Sequence, residues 1–202
     1  SRSKVHEEAL LVALDTGVKL IDTSSNYTDG ESEEVIGPYL NKIKTKRPLI
    51  VTKAGYLQGK NLKFENNLIE MVEVNSGLKH SIHPLFLKEQ ITQSLNRLQI
   101  DSLDYFLLHN PEYYFKAENA NTTEFYRRIK QAFLYLEDEV RLGRIKAYGI
   151  SSNNFVIDPN EIDFVDIEKI IEITNSISTE NHFKLVQFPL NIIEIGALEK
   201  FN

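Results

Sequence analysis

The segment from Gly17 to Gly37 reads GVKLIDTSSNYTDGESEEVIG and contains a strand, a loop and the start of a helix, in that order. Leu20–Thr23 is a short, mainly apolar run, a pattern that predicts a buried strand. A polar stretch follows up to Gly30, after which Glu31–Leu40 has the residue spacing of a helix. A strand followed at once by a helix is the repeating unit of α/β folds.

The same pattern returns along the rest of the chain. Further runs are apolar nearly throughout, as expected for parallel strands whose outer face is covered by helices. These runs are Leu49–Lys53, Leu103–His109, Ala147–Ser151 and Leu185–Leu190. Helical patterns cover Val5–Ala13, Pro84–Leu98, Thr122–Val140 and Phe164–Ile173. Strand and helix therefore alternate, which predicts an α/β fold with right-handed crossovers in a single domain over residues 1–202.

Charge and composition argue against several classes of function. The formal net charge is -6 at pH 7, whereas nucleic-acid binding normally needs clustered Lys and Arg. The chain has no cysteine, which excludes thiolate catalysis and Cys-ligated metals. No stretch is long and apolar enough to span a bilayer. We therefore expect a soluble, cytoplasmic protein, with an organelle as the alternative, acting on a small molecule rather than on nucleic acid or membrane. The oligomeric state stays open.

Two long segments follow predicted strands and are predicted to be loops. They span Ala54–His83 and Asn110–Asn121. In α/β proteins, the loops at the carboxyl ends of strands build the active site. Tyr56 in the first segment, and Tyr113 and Tyr114 in the second, are therefore candidates for the wall of a substrate pocket. Packing at the surface is an equally good interpretation of the tyrosines in the second segment.

Four polar side chains are placed to meet at one rim of the predicted sheet. Asp22, Lys53 and His109 end successive predicted strands, and Tyr27 lies in the loop that leaves the first of them. Each residue alone is a weak signal, but four at the same end of neighbouring strands form a strong one. A phenol is a weak acid at neutral pH, and an adjacent ammonium makes it a better proton donor. Such a group suits proton transfer to a carbonyl oxygen.

Other polar groups are assigned no such chemistry. His80 and His83 lack a third ligand, so we assign no metal site. The acidic run from Glu137 to Glu139 is interpreted as a mainly solvated helix face.

The motifs together resemble those of the aldo-keto reductase family. The spacing of Asp22, Tyr27, Ser32-Glu33 and Gly37 is similar to the family signature. Val51-Thr52-Lys53 resembles the strand with the catalytic lysine, and residues 103–109, LDYFLLH, resemble the strand that ends in the catalytic histidine. The resemblance implies a (β/α)8 TIM barrel of which about five strands are recognisable here. A first strand and the last strands of the family are expected to be missing from this sequence.

Two further motifs resemble the family's cofactor site. Residues 143–155, GRIKAYGISSNNF, and residues 186–191, VQFPLN, are similar to the stretches that hold the nicotinamide. The resemblance implies NADPH as cofactor, with NADH as the alternative. It implies contacts from Asp22, Ser151, Ser152, Asn153 and Gln187. Additional sequence follows Ser151 here, so the choice among Ser152, Asn153 and Asn154 for one of these contacts stays open.

Three functions are compatible with these residues. The first is a carbonyl reductase, in which hydride from NAD(P)H reaches an aldehyde or ketone carbon while Tyr27 protonates the oxygen. The second is a cofactor-binding regulatory subunit resembling the potassium-channel β-subunits, which would carry the same residues. The third makes Lys53 a Schiff-base nucleophile, as in class I aldolases.

Overall fold

The computed structural model describes residues 4–43, 47–62 and 70–198, which form an open parallel sheet with helices and a smaller antiparallel sheet. The strands are β1 (Leu20–Asp22), β2 (Leu49–Ala54), β3 (Tyr56–Gln58), β4 (Val72–Asn75), β5 (Leu78–His80), β6 (Leu103–His109), β7 (Ile145–Ser151) and β8 (Phe183–Gln187). The helices are α1 (Lys4–Asp15), α2 (Glu31–Leu40), α3 (Pro84–Leu98), α4 (Thr122–Arg141) and α5 (Ile167–Ile177). None of these helices is long and apolar enough to cross a membrane.

The parallel sheet has the strand order β1-β2-β6-β7-β8. The register pairs Lys53 with Leu107, His109 with Ser151, and Ser151 with Gln187. Since the strands run in the same direction, their carboxyl ends line one edge of the sheet. The predicted α/β fold is confirmed, and Asp22, Lys53 and His109 lie along this edge.

The core lies between the parallel sheet and the helices that connect its strands. Phe86 and Ile91 of α3 and Phe125 and Phe133 of α4 have no exposed surface, and neither does Phe106 of β6. Burying a side chain of this size contributes about 1.5 to 3 kcal/mol. Apolar residues at helical spacing thus explain why α3 and α4 fold onto the sheet.

Glycines allow the elements to approach one another closely at two places. A Cβ atom on Gly149 in β7 would overlap the carbonyl oxygen of Leu185 in β8. A Cβ atom on Gly37 in α2 would overlap the carbonyl oxygen of Arg97 in α3. Any larger residue at these positions must push a strand or a helix away.

A buried carboxylate ties α2 to its neighbours. Glu33 is fully buried, and it accepts hydrogen bonds from the Thr52 hydroxyl at 2.5 Å and from Arg97 Nε at 2.7 Å. The acidic residue of the signature stretch therefore joins α2 to β2 and α3. A buried charge of this kind is tolerated because it is paired and hydrogen-bonded.

The prediction of a long loop after β2 was wrong at three short strands of the described residues. The segment folds into the antiparallel sheet β3-β5-β4, in which Tyr56 pairs with His80. The turn between β4 and β5 is closed by Asn75 Oδ1, which accepts a hydrogen bond from Gly77 N at 3.0 Å. Residues 63–69 of the same segment lie outside the described residues.

Two predicted elements are displaced along the chain. The last predicted strand, Leu185–Leu190, lies at Phe183–Gln187, and Pro189 beyond its end has no N–H for a ladder bond. The predicted helix Phe164–Ile173 lies at Ile167–Ile177. Asp166 sets its start, because the side chain accepts hydrogen bonds from the backbone N–H groups of its first turn.

The acidic run on α4 is only partly solvated. Glu139 is buried and accepts hydrogen bonds from Tyr135 and from Arg144. Glu137 accepts from the hydroxyl of the buried Tyr148 at 2.8 Å. The prediction of a mainly solvated face was therefore wrong at these two positions, since their partners lie on the packed side of the helix.

Candidate active site

A buried lysine lies at the centre of the rim. Lys53 is 1% exposed, and its Nζ lies 2.9 Å from both carboxylate oxygens of Asp22 and 2.8 Å from the carbonyl oxygen of Thr23. Each N–H of the ammonium therefore has an acceptor. A buried cation is stable only when it is paired in this way. The ends of β1 and β2 thus fix a positive charge at the rim.

Tyr27 and His109 face this charge. The Lys53 Nζ lies 5.2 Å from the centroid of the Tyr27 ring, and the rings of Tyr27 and His109 meet edge to face at 6.2 Å. Tyr27 is 41% exposed. The turn that carries it is tight, because Thr28 and Asp29 have φ values of 48° and 56°. The structure thus brings together the four side chains that the sequence placed at one rim.

His109 is held from two sides. Its Nδ1 lies 3.1 Å from Ser24 Oγ, and its carbonyl oxygen lies 2.8 Å from Nε2 of the buried His80. Burial, together with the weaker effects of the Lys53 ammonium and of His80, lowers the pKa of His109 to about 3. Burial likewise lowers the pKa of His80 to about 4. His109 is therefore a neutral imidazole near pH 7, and His80 fixes its backbone.

Two of the three tyrosines that were predicted to line a substrate pocket lie together beside His109. The Tyr56 ring packs edge to face on His109 at 4.8 Å and on Tyr113 at 5.2 Å. Asn110 Nδ2 donates a hydrogen bond of 2.6 Å to the Tyr56 hydroxyl. Tyr114 lies elsewhere.

Tyr114 belongs to the core rather than to the wall. Its ring packs on Phe115 and Phe125, and its hydroxyl accepts a hydrogen bond from the backbone N–H of Asn121. The backbone from Pro111 to Lys116 forms a 3-10 helix, so neighbouring side chains of this segment point in different directions. The structure therefore does not bring Tyr114 to the other site residues.

Residues predicted to hold the nicotinamide form a chain of hydrogen bonds that reaches Asp22. Ser151 Oγ donates to Gln187 Oε1 at 2.8 Å. Gln187 Nε2 donates to Asp22 Oδ2 at 3.3 Å. The ends of β7 and β8 are thus joined to the Asp22–Lys53 pair by polar groups.

Ser152 and Asn153 differ in whether their side chains are already hydrogen-bonded. Ser152 is buried, and its hydroxyl donates to Glu112 Oε2 at 2.8 Å and accepts from Asn154 N at 3.0 Å. The Asn154 side chain donates to the carbonyl oxygen of Asp163. Among the residues that the structure describes, Asn153 is bonded only through its backbone N–H, which donates to Glu112 Oε1 at 3.2 Å, and its side chain is exposed.

Sequence reasoning missed three buried residues that support the site: Ser24, His80 as a support for His109, and Glu112. Burial raises the pKa of Glu112 to about 7, against the hydrogen bonds from Ser152 and Asn153. The sequence signal was weak for each of them. Ser24 and Glu112 stand within three residues of a strand end, which is the only feature that could have pointed to them.

His80 and His83 have other partners than a metal. His83 Nδ1 accepts a hydrogen bond from Leu85 N at the start of α3. Within residues 4–43, 47–62 and 70–198, no three His, Asp or Glu side chains are grouped in a way that could hold a metal ion.

Comparison with known sequences gives one consistent result. A sequence model of the "Aldo/keto reductase family" matches residues 3–195. The NADH-specific methylglyoxal reductase of Escherichia coli (strain K12) is 25% identical over 145 residues, which are 72% of this chain and 40% of that protein. The aldo-keto reductase YhdN of Bacillus subtilis (strain 168) is 28% identical over 155 residues, which are 77% of this chain and 38% of that protein. The chain thus spans less than half the length of these relatives.

Solved structures show the same fold. The aldo-keto reductase AKR11C1 from Bacillus halodurans, in its holo form, matches 91% of this chain with a TM-score of 0.60 and 22% identity over 48% of its own length. The glycerol dehydrogenase AKR11B4 from Gluconobacter oxydans matches 93% with a TM-score of 0.62 and 22% identity over 46% of its length. The open sheet is therefore part of a (β/α)8 barrel, which confirms the predicted fold class.

Proposed function

The chain belongs to the aldo/keto reductase family of oxidoreductases, and on this premise we propose that it reduces an aldehyde or a ketone to an alcohol with hydride from a nicotinamide cofactor. The observation that carries the proposal is the Lys53 ammonium, which is buried, held by three acceptors and placed 5.2 Å from the centre of the Tyr27 ring. A fixed positive charge beside a phenol favours release of the phenol proton. Tyr27 is the proton donor in this proposal.

The same ammonium argues against the Schiff-base alternative. A nucleophilic lysine must be neutral and must present its lone pair to a substrate carbonyl. Lys53 instead directs its three N–H groups to Asp22 and Thr23. Loss of the proton would leave the Asp22 carboxylate without its partner.

The residues present suit a nicotinamide ring. A carboxamide offers both hydrogen-bond donors and an acceptor, so it needs partners of both kinds. Ser151, Gln187 and the exposed side chain of Asn153 supply them at neighbouring strand ends. We assign the carboxamide contacts to these three residues, with Asp22 orienting Gln187. Ser152 is left out because Glu112 and Asn154 occupy its hydroxyl.

The reaction divides between the cofactor and the side chains at the rim. When bound, the nicotinamide supplies the hydride that reaches the carbonyl carbon. Tyr27 gives its proton to the carbonyl oxygen, so that one hydride and one proton turn the C=O group into an alcohol. His109 donates a hydrogen bond to the same oxygen and orients the substrate. Lys53 stabilises the phenolate that Tyr27 becomes, and Asp22 holds Lys53 in place.

The substrate meets Tyr56 and Tyr113 beside His109. Their rings give this side of the site an aromatic, largely apolar surface. We propose NADPH as the cofactor, with NADH as the alternative because the E. coli relative is NADH-specific. Comparison of the kcat/KM values for the two cofactors decides between them.

Replacement of Tyr27 by Phe tests the proposal. The full-length protein should oxidise NADPH or NADH with a panel of aldehydes and ketones that includes methylglyoxal. Tyr27→Phe removes the proton donor and should lower kcat about 100- to 10,000-fold. Fluorescence titration should show that the variant still binds the cofactor, because Tyr27 is not among the residues that we assign to cofactor binding.

Tyr39→Phe is the matched control. The substitution likewise removes one phenol hydroxyl, here from α2. In the wild type the Tyr39 hydroxyl donates to Glu7 rather than to a residue of the rim. Its turnover should equal that of the wild type. Turnover by Tyr27→Phe at the wild-type rate would refute the role of Tyr27, and absence of turnover by the wild type across the panel would refute the reductase.

A further inference from the structure

Glu112 is a buried carboxyl group next to the proposed nicotinamide contacts. It follows the end of β6 by three residues and is 6% exposed. Its Oε2 accepts a hydrogen bond of 2.8 Å from Ser152 Oγ, and its Oε1 accepts one of 3.2 Å from the backbone N–H of Asn153. One side chain from the segment after β6 thus holds two consecutive residues of the segment after β7.

These contacts begin where the pairing of β6 with β7 ends. The ladder pairs His109 with Ser151, and the backbone N–H of Asn110 donates to the Ser151 carbonyl oxygen at 2.7 Å. Glu112 contacts the next two residues beyond that point. The two strands are therefore already joined without Glu112, and its carboxyl group instead sets the course of the backbone that follows β7.

The contacts of Glu112 do not depend on its charge. Burial raises its pKa to about 7, so the ionised and the protonated forms are both present near neutral pH. The carboxylate accepts both hydrogen bonds. The protonated carboxyl group keeps one oxygen for the Asn153 N–H and can donate its own proton to Ser152 Oγ. Glu112 therefore holds the same two residues in either form.

Asn153 is held by the backbone while its side chain stays available. Its own N–H donates to Glu112. On its carboxyl side, Asn154 N donates to Ser152 Oγ at 3.0 Å, and the Asn154 carbonyl oxygen accepts a hydrogen bond of 3.1 Å from Val165 N. Because the backbone is held at Asn153 and directly after it, the direction in which the exposed Asn153 side chain leaves the backbone is set as well.

The Asn153 side chain lines a cavity at this end of the sheet. The cavity has a volume of about 350 Å³ and lies between the segment after β7 and the segment after β8, which contributes Pro189 and Ile193. Cavities of this size bind small molecules. Ser151 Oγ and Gln187 are bonded to each other at the neighbouring strand ends. The course of the backbone after Ser151 therefore decides whether Asn153 and this pair can contact one ligand.

We propose that Glu112 is a positioning residue of the cofactor site, whose side chain holds Ser152 and the backbone of Asn153 so that the Asn153 side chain is presented to the nicotinamide carboxamide. The inference rests on the proposed function for the identity of the ligand. The hold of Glu112 on the segment after β7 is a property of the folded protein and can be measured without cofactor.

Hydrogen exchange in the full-length protein without cofactor, followed by NMR, tests the contact itself. Glu112→Leu keeps a side chain of similar size but removes both acceptors, so the Asn153 amide should exchange about tenfold faster, as for the loss of one hydrogen bond. Glu112→Gln should restore slow exchange, because its amide oxygen accepts from Asn153 N and its NH2 group donates to Ser152 Oγ. Glu118→Leu, at an exposed position of the same segment, is the matched control and should exchange like the wild type. Unchanged exchange in Glu112→Leu overturns the proposal.

Fluorescence titration with NADPH and NADH tests what the contact is for. Glu112→Leu should raise the cofactor Kd about tenfold, and the conservative variant Glu112→Gln should restore the wild-type value. Ser152→Ala removes only one of the two contacts, and it should raise Kd about two- to tenfold, which tests the proposal even where Glu112→Leu does not fold. A wild-type Kd in Ser152→Ala contradicts the proposed role of the Glu112–Ser152 contact.

Asn153→Ala separates positioning from general support of the fold. It removes the side-chain amide but keeps the backbone N–H that donates to Glu112. In this background Glu112→Leu should leave Kd unchanged, since the side chain it acts through is gone. An equal rise of Kd in both backgrounds would mean that Glu112 supports the site as a whole, and the proposal would be wrong. If the wild type binds neither cofactor, the proposed function and the purpose assigned to Asn153 both fail, while the exchange rates still decide whether Glu112 holds this backbone.

Discussion

At the scale of single residues, Glu112 is the side chain whose contacts and surroundings conflict most. Ser152 and Asn153 donate hydrogen bonds to its two oxygens, which favours the carboxylate. Burial has the larger effect and raises its pKa from the ordinary 4.5 to about 7. Between about pH 4.5 and 7, Glu112 is therefore protonated in the folded protein and ionised in the unfolded chain.

This shift predicts a pH dependence of stability. Because the folded pKa lies above the unfolded one, the contribution of Glu112 is fully present below about pH 4.5 and is lost as the pH rises through about 7. The loss amounts to about 2 to 3 kcal/mol of unfolding free energy. The glutamine of Glu112→Gln cannot titrate. The unfolding free energy of the variant minus that of the wild type should therefore increase by that amount from pH 5 to pH 8. Urea denaturation at several pH values measures it.

In the difference between Glu112→Gln and the wild type, the contributions of the other titrating groups cancel. His80 and His109 have lowered pKa values, so they stabilise the protein above the ordinary histidine pKa, and this stability is lost as the pH falls. Both are present in the two proteins and cancel. Glu118→Gln, at an exposed position of the same segment, is the control and should follow the wild-type profile. A parallel profile for Glu112→Gln would show that Glu112 titrates as an ordinary carboxyl group.

The residues of the rim differ in how far the sequence could predict their positions. Asp22, Lys53 and His109 were placed correctly because each is the last or second-last residue of a strand, and parallel strands end at one edge. The partners Ser24, Glu112 and His80 could not be predicted, because their contacts join segments far apart in the chain. A single sequence gives the positions of strand ends but not which buried hydroxyl or carboxyl group lies behind them.

At the scale of elements, the β7–β8 pair depends on the absence of a side chain. Gly149 lies in β7 beside Leu185 of β8, and the register of the two strands shifts next to it. A Cβ atom there would overlap the Leu185 carbonyl oxygen, which belongs to the backbone and cannot turn aside. Since β7 ends in Ser151 and β8 in Gln187, this contact also sets the spacing of the proposed nicotinamide contacts.

Gly149→Ala should therefore separate the two strands. We expect a loss of about 2 to 3 kcal/mol in unfolding free energy, the usual cost of forcing a group into a packed core. Gly143→Ala is the contrasting variant, because its φ is +75° and no atom of the described part of the chain lies within 4 Å of the added Cβ. It should cost about 1 kcal/mol, from backbone conformation alone. Equal losses for the two variants in urea denaturation would mean that space at Gly149 is not limiting.

Elements were predictable where one pattern dominated. The apolar runs of β1, β2 and β6 and the periodic faces of α3 and α4 gave the right type and nearly the right bounds. The sheet β3-β5-β4 was missed because its strands are at most four residues long, too short for periodicity to distinguish them from a loop. The prediction that Glu139 is solvated was wrong because the sequence shows a polar residue at the edge of a helix face but not whether an arginine covers it.

At the scale of the whole molecule, the sheet curls until its outer strands approach each other. β1 and β8 are the two outermost strands of the parallel sheet, yet Gln187 Nε2 lies 3.3 Å from Asp22 Oδ2. A flat sheet would hold these strands about 19 Å apart, at about 4.8 Å for each of the four spacings between its strands. The twist of parallel strands explains how their ends can converge. The proposed proton donor and the proposed cofactor contacts thus meet because of the curvature and not because of sequence proximity.

This curvature predicts that Gln187 acts on the proposed cofactor site rather than on stability. Gln187→Leu keeps the size of the side chain but breaks its hydrogen bonds with Ser151 and Asp22, so the nicotinamide loses a prepared partner. We expect the cofactor Kd of the full-length protein to rise about tenfold, as for the loss of one hydrogen bond. The unfolding free energy should change by less than about 1 kcal/mol, because Gln187 is only half-buried. Lys184→Gln, exposed on the same strand, should change neither quantity. A large loss of stability with an unchanged Kd would make the contact between β8 and β1 a support of the fold, and the Asp22–Gln187 bond would then have no part in binding.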